Sequence, residues 1–210
     1  MDSTICGIVA GEMKLKSPGS RLTCAIVLSL AFFCFSEHGV AQGPAGQFQV
    51  TKITKNLITS PQFSYSGAQQ YVANQRDRWL EVEVEFTSTA EFSDEVTLRY
   101  FILVNGKLLT GEVIHTNVAG GKERRSVMYV PPQALNRVMD NRPLAQNSIQ
   151  NIAVQVVQQG AVKDEQSLVR AAPQWYKSLP SLSGLVLNKN ETPFAPLYWD
   201  RYEQIKPAAR

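Results

Sequence analysis

The amino-acid sequence predicts an all-β protein: an immunoglobulin-like antiparallel β-sandwich of about seven strands, followed by an extended C-terminal segment rich in proline and aromatic residues. Three observations carry that expectation. Residues 80–86 alternate strictly between apolar and acidic side chains, short apolar runs separated by turn signals recur through residues 48–171, and the composition then shifts at residue 172. Recurrent short strands at such spacing, without intervening helical periodicity, are the pattern of a sandwich or related Greek key.

Residues 1–41 read as an export signal. Lys14, Lys16 and Arg21 form a positive region, the apolar run Leu22–Phe35 follows, and Gly39 and Ala41 stand at −3 and −1 of a cleavage site before Gln42. That run is 14 residues long, short of the roughly 20 a spanning helix needs. Met13, followed by Lys14-Leu15-Lys16, reads as the more natural start. Neither Cys24 nor Cys34 follows the leucine-plus-small-residue pattern of a lipidated cysteine, and no prepilin-type site is present.

Removal of the signal takes all three cysteines (Cys6, Cys24 and Cys34) with it, and so excludes disulfides, thiolate catalysis and cysteine-ligated metals from the mature chain. His38 also leaves, and His115 is the remaining histidine. The net charge of +3 is unaffected, because Lys14, Lys16 and Arg21 balance Asp2, Glu12 and Glu37. A charge so balanced, with no basic cluster longer than Lys122–Arg125, gives no nucleic-acid footprint.

Residues 42–47 are a flexible Gly/Pro leader, and residues 48–171 the sandwich domain. Phe48–Ile53 forms the first strand, with Ile53 one step out of phase with Phe48 and Val50. In residues 80–86 Leu80, Val82, Val84 and Phe86 face the core, while Glu81, Glu83 and Glu85 form a solvated face relieved by cross-strand partners such as Arg99 or Arg125. Val96–Val104 is a strand covered on both faces, since Phe101 and Leu103 lie opposite its main apolar row. Asn105-Gly106 is a type I′ hairpin signal that returns the chain along Lys107–Asn117. Gly120-Gly121 marks a further turn and Arg125–Val130 a strand ended by Pro131-Pro132, after which Gln133–Asp140 forms a short helix. Ile149–Val157 and Ala161–Val169 flank a turn at Gln158-Gln159-Gly160.

Catalytic and metal-binding chemistry does not emerge. One histidine without a nucleophile beside it reads as a surface or edge residue, and there is no phosphate loop, nucleophile elbow or metal-ligand set. The glutamates of residues 81–85 have the spacing of any acidic strand. The expectation is therefore a non-enzyme without cofactor or metal.

Residues 172–210 carry Pro173, Pro180, Pro193, Pro196 and Pro207 together with Trp175, Tyr176, Phe194, Tyr198, Trp199 and Tyr202. Disordered tails are poor in aromatics, so this extension is expected to wrap over the sandwich and pack Phe194, Tyr198 and Trp199 there, the alternative being that it presents Trp175, Phe194, Tyr198, Trp199 and Tyr202 to a partner. Within it, the run Thr192-Pro193-Phe194-Ala195-Pro196-Leu197-Tyr198-Trp199-Asp200-Arg201-Tyr202-Glu203, behind an export signal and a sandwich of this length, resembles a family of small exported proteins of verrucomicrobial bacteria. Its members are encoded with type IV pilus-like machinery and are called pilus-like or pilus-associated. The resemblance covers nearly all of the mature chain. It implies an immunoglobulin-like fold and a role at a pilus or its secretin-type assembly, without catalysis. Envelope or pilus-assembly proteins would be the partners, and the location periplasmic, outer membrane-associated or at the cell surface.

Lacking a prepilin site and a long apolar N-terminal helix, the chain suits an accessory or surface component better than a fibre subunit. A carbohydrate-binding module is the alternative, with Trp79, Trp175 and Trp199 as platforms for sugar rings. N-terminal sequencing of the protein exported by its native host should begin at or near Gln42, and a mature product starting at Met1 or Met13 would overturn the export signal.

Overall fold

The alternation over residues 80–86 acts as expected on its apolar side, where Leu80, Val82, Val84 and Phe86 are all fully buried. They belong to β2 (Arg78–Val104), one arm of a long ribbon whose other arm is β3 (Lys107–Val130). These elements come from a computed structural model that describes residues 46–64, 66–67 and 77–207, all within one unit, Gln42–Arg210. The expected export signal (residues 1–41) and most of the expected leader lie outside the described residues. Asn105 and Gly106 join the arms with φ of 49° and 75°, and Val104 pairs with Lys107, as a two-residue type I′ turn requires.

The ribbon is twice as long as the sequence pattern suggests. Residues 80–86 and 96–104, expected as two strands, are the two halves of β2, and residues 107–117 and 125–130 are the two halves of β3. Gly120-Gly121 is consequently not a turn but part of β3. The register shifts between Phe86 and Ser88 and again between Ser88 and Phe92, so the ribbon bends where the sequence suggested that it stops. Gly120 permits that bend: a Cβ there would lie 2.4 Å from the carbonyl oxygen of Ala90 on the opposite arm.

Strand β1 (Phe48–Thr59) pairs antiparallel with the first half of β2. A bulge between Val50 and Lys52 explains why Ile53 is out of phase with Phe48 and Val50 yet buried with them. Strand β4 (Ile149–Gln158) pairs antiparallel with the second half of β2, and β5 (Ala161–Ser167) pairs with β4 across a turn at Gln159 and Gly160, where φ is 51° and 77°. Between β3 and β4, helix α1 (Pro132–Val138) starts immediately after Pro131 and buries Ala134, Leu135 and Val138. Folding the ribbon over itself produces an all-β sandwich from one seven-stranded sheet. Its core gathers Phe48, Val84 and Phe86 with Leu98, Tyr100, Ile102, Ile152 and Val154. Each of the larger apolar side chains contributes roughly 1.5–3 kcal/mol by leaving water.

Both open sides of the folded sheet are laced. On one side, the Val50 N–H donates to Asp164 Oδ2 at 2.6 Å, tying β1 to β5. On the other, the C-terminal segment runs along the outer edge of β3. Strand β6 (Ser181–Ser183) lies parallel to Leu108–Thr110, and β7 (Leu187–Asn188) antiparallel to Met128–Tyr129. A bridge then joins Ile205 to His115. The close approach of Val186 over Gly111, whose added Cβ would meet the valine Cβ at 2.7 Å, shows how tightly the segment sits.

Gly120→Ala should therefore cost more stability than Gly160→Ala in urea denaturation. At Gly160 there is open space, and the penalty is the left-handed backbone alone, about 1 kcal/mol. At Gly120 the methyl group would collide with backbone, and the expected loss is about 2–3 kcal/mol or more. Equal losses would mean that the arms do not close at Ala90.

Candidate interaction site on the C-terminal segment

The C-terminal aromatics divide into anchors and a tip. Phe194 is an anchor: it stacks on Tyr129 with ring centroids 4.6 Å apart and meets Trp79 edge-on at 5.4 Å. The Trp79 indole N–H donates to Ser60 Oγ at 2.7 Å, so that ring is buried with its polar atom satisfied. Tyr176 is a second anchor, stacked on Phe101 at 3.7 Å, with its hydroxyl donating to Glu165 Oε2 at 2.7 Å and accepting from Gln155 Nε2. Trp175 packs edge-on against Tyr176 and donates to Ser167 Oγ at 3.1 Å. The doubly covered strand inferred from Phe101 is thus covered on that face by the chain's own extension.

Tyr198 and Trp199 do not pack on the sandwich. They are 64 % and 80 % exposed, which corrects the expectation that both join Phe194. Each sits at the turn that leads from the Phe194 anchor to Arg201, and the backbone there is already committed: Tyr198 takes a left-handed φ of 51°. The turn is held from within. Lys189 Nζ donates to the Ala195 carbonyl at 2.6 Å, and Thr192 Oγ1 donates to the Lys189 carbonyl at 2.7 Å. Burial lowers the pKa of Lys189 from the ordinary lysine value.

Beyond the tip the chain returns to the sheet through charge. Arg201 Nη2 donates to both carboxylate oxygens of Glu83, at 2.7 and 2.9 Å, and the Tyr202 hydroxyl donates to Glu83 Oε2 at 2.8 Å. Arg125 lies 3.9 Å from Glu83 and 3.5 Å from Glu85, while Glu81 accepts from the Tyr129 hydroxyl and from Asn56. Burial first, and the Glu83 carboxylate second, raise the pKa of Tyr202 well above the usual phenol value, so it remains a donor. The glutamates are therefore not a solvated face. Glu83 is buried, because the extension covers it. Arg125 is a partner as expected, whereas Arg99 pairs with Glu112 instead.

Sequence reasoning also missed His115, which is buried and not a surface or edge residue. The two halves of β3 bring it to Ser126, which also accepts from the Tyr100 hydroxyl. The polar residues of a continuous bent strand meet in a way that no local pattern signals.

Between the tip and β1 runs a groove of about 520 Å³. Its walls include Thr54, Asn56 and Ile58 of β1 on one side and Leu197, Tyr198 and Arg201 on the other. Among the described residues, no three His, Cys, Asp or Glu side chains are placed to hold a metal ion, and no helix is long and apolar enough to cross a membrane.

A protein-family model matches residues 39–209, most of this chain. The chain belongs to the pilus-associated protein family of verrucomicrobial bacteria. The family is a structural one. A crystal structure of a protein from the verrucomicrobium Akkermansia muciniphila superposes with a TM-score of 0.65 at 20 % identity, covering 78 % of this chain and 94 % of that one. At that identity the likeness is one of fold. A comparison with curated proteins found no match.

The interaction between Glu83 and Arg201 is directly testable. Glu83→Lys should destabilise the fold by about 3 kcal/mol or more, because it buries a cation against Arg125 and Arg201. Glu112→Lys, at an exposed pair, should cost less than about 1 kcal/mol. Equal thermal midpoints for the two variants would show that Glu83 carries no structural charge.

Proposed function

We propose that this protein is a non-enzymatic structural or adhesive component of a type IV pilus-like system in the cell envelope. In this reading it acts through protein–protein contacts made by the Tyr198-Trp199 tip. The observation that carries the proposal is the contrast within a single turn. Phe194 is buried, whereas Tyr198 and Trp199, four and five residues on, stand in solvent on a backbone fixed at both ends. Large aromatics presented on a pre-ordered loop are typical binding anchors, since they bury much area and lose little conformational entropy on docking. Family membership supports the setting: pilus-associated proteins work at the cell envelope or outside it, among protein partners.

The carbohydrate reading fares differently at each of its platforms. Trp79 is buried under Phe194 and Trp175 leans on Tyr176, leaving Trp199 as the free tryptophan ring of the three. A row of coplanar platforms is therefore not available to a glycan chain, and protein contact is the better reading.

The test is an affinity capture from an envelope extract of the native organism, with Gln42–Arg210 as bait and a Tyr198→Ala/Trp199→Ala double variant as control. Both side chains are exposed, so the variant should keep its thermal midpoint within about 0.5 kcal/mol of stability. Pilus or secretin proteins should be retained by the wild-type chain and lost from the variant. Retention by both baits would move the interface away from the tip, and retention of glycans alone would replace the proposal with the carbohydrate reading.

A further inference from the structure

The last described residues of the chain cross from one half of β3 to the other. The Glu203 N–H donates to the Arg125 carbonyl at 2.9 Å, the Thr116 N–H to the Gln204 carbonyl at 2.9 Å, and the Lys206 N–H to the Ile114 carbonyl at 2.8 Å. His115 sits beneath this crossing. Its Nδ1 lies 3.1 Å from the Glu203 backbone oxygen and its Nε2 lies 2.7 Å from Ser126 Oγ. A carbonyl oxygen only accepts, so Nδ1 carries the proton of the neutral ring and Nε2 is left as an acceptor. The Tyr100 hydroxyl donates to Ser126 Oγ at 2.7 Å, and the Ser126 hydroxyl can then donate to Nε2. The chain of donors from Tyr100 to the Glu203 carbonyl is complete for a neutral imidazole, with no carboxylate in contact with the ring to balance a charge.

We infer that His115 is an acid-sensitive latch: its protonation at Nε2 releases residues 203–206 from β3 while the rest of the sandwich stays folded. A second proton would turn the acceptor into a donor facing the Ser126 hydroxyl and place a cation in the core. Detaching residues 203–206 uncovers the ring and lets water solvate that charge. The docked state therefore prefers the neutral ring. Burial pushes His115 down to about 4, the bonds to Glu203 and Gln204 opposing it only in part. The sign follows from the depressed value. The docked state's advantage is complete above the ordinary histidine value of 6.5 and is lost as the pH falls from there toward 4.

The other ionisable groups around the crossing do not mimic this. On β3, Arg125 lies beside Glu83 and Glu85. Arg124 pairs with the Glu203 carboxylate at 3.4 Å, and burial raises the Glu203 pKa above the usual carboxylate value. Protonating Glu203 on acidification thus favours docking and opposes release. On β2, Tyr100 stays neutral, Glu95 pairs with Lys206, and Glu83 holds Tyr202 and Arg201. Those carboxylate contacts persist whatever residue occupies position 115, so any weakening through them appears in a histidine variant as well.

The test is amide hydrogen exchange on Gln42–Arg210 between pH 6.5 and pH 4, corrected for intrinsic rates. Protection at Thr116, Glu203 and Lys206 should fall by about 80-fold, the full histidine ratio being halved at each of these two pH values, while Ile102 and Val154 in the core keep theirs. His115→Gln, which stays neutral, should abolish the fall, and Glu203→Gln should keep it. A flat profile in the wild type, an equal fall at Ile102 and Val154, or the same fall in His115→Gln would each overturn the latch. If His115→Gln does not fold, direct NMR titration of the His115 ring decides: a value near or above 6.5 in the docked protein removes the driving force.

Discussion

Everything in this fold depends on a two-stranded ribbon folding back across its own length. Strands β2 and β3 pair from the Asn105-Gly106 turn to Leu80 and Val130, and at Gly120 their backbones come close enough to exclude even a methyl group. A bent ribbon alone would leave two open sides through which water reaches the core. Each is closed by a different device: side chains that reach across, Asp164 to the Val50 N–H and Lys55 to the Ile149 carbonyl, on the β1 side, and some thirty residues of C-terminal chain on the β3 side. Covering the β3 edge also removes the exposed backbone donors and acceptors that would otherwise recruit another chain. The described residues contain no cysteine, so core burial and this lacing supply their stability.

Electrostatics decide where the C-terminal segment lies. Three glutamates alternate on one face of β2, and the sheet itself offers them Arg125, Asn56 and the Tyr129 hydroxyl. Glu83, the middle one, is completed from the segment by a two-point contact with Arg201 and a bond from Tyr202. Apolar rings such as Phe194 favour burial anywhere on an apolar surface, whereas a planar guanidinium on a buried carboxylate accepts one register. The rings supply area and the Arg201–Glu83 pair supplies position.

Properties that depend on neighbours in the chain were legible in the sequence. The buried face of residues 80–86, the two glycine-containing hairpin turns, the helix after Pro131 and even the phase slip at Ile53 all follow from local periodicity and turn chemistry. What failed depends on distant partners. Gly120-Gly121 has the composition of a turn, but the opposing carbonyl of Ala90 makes it a bend within a strand. Glu83 has the pattern of a solvated residue until a segment 118 positions away covers it. His115 has no motif around it, because Ser126 and Glu203 reach it only after β3 bends and the C-terminal segment docks. The aromatic richness of that segment was plain, but its division into anchors and tip was not, since Phe194, Tyr198 and Trp199 are equally apolar on paper.

That division separates two demands on one short run. Docking the extension requires Phe194, Arg201 and Tyr202 to face the sheet, and the chain between them must then turn outward. Tyr198 absorbs the reversal in a left-handed conformation that costs a non-glycine residue about 1 kcal/mol or more. A glycine there would relieve the strain at little cost in packing, because the Tyr198 side chain is mostly exposed. Stability therefore gives no reason for a tyrosine at this position, nor for a tryptophan beside it that is four-fifths exposed. Exposed aromatic side chains that add little to the fold while costing solubility and backbone strain are consistent with the contacts outside it proposed above. On the proposed function, the Tyr198-Trp199 tip is where such a contact would find both exposed area and a backbone held at both ends.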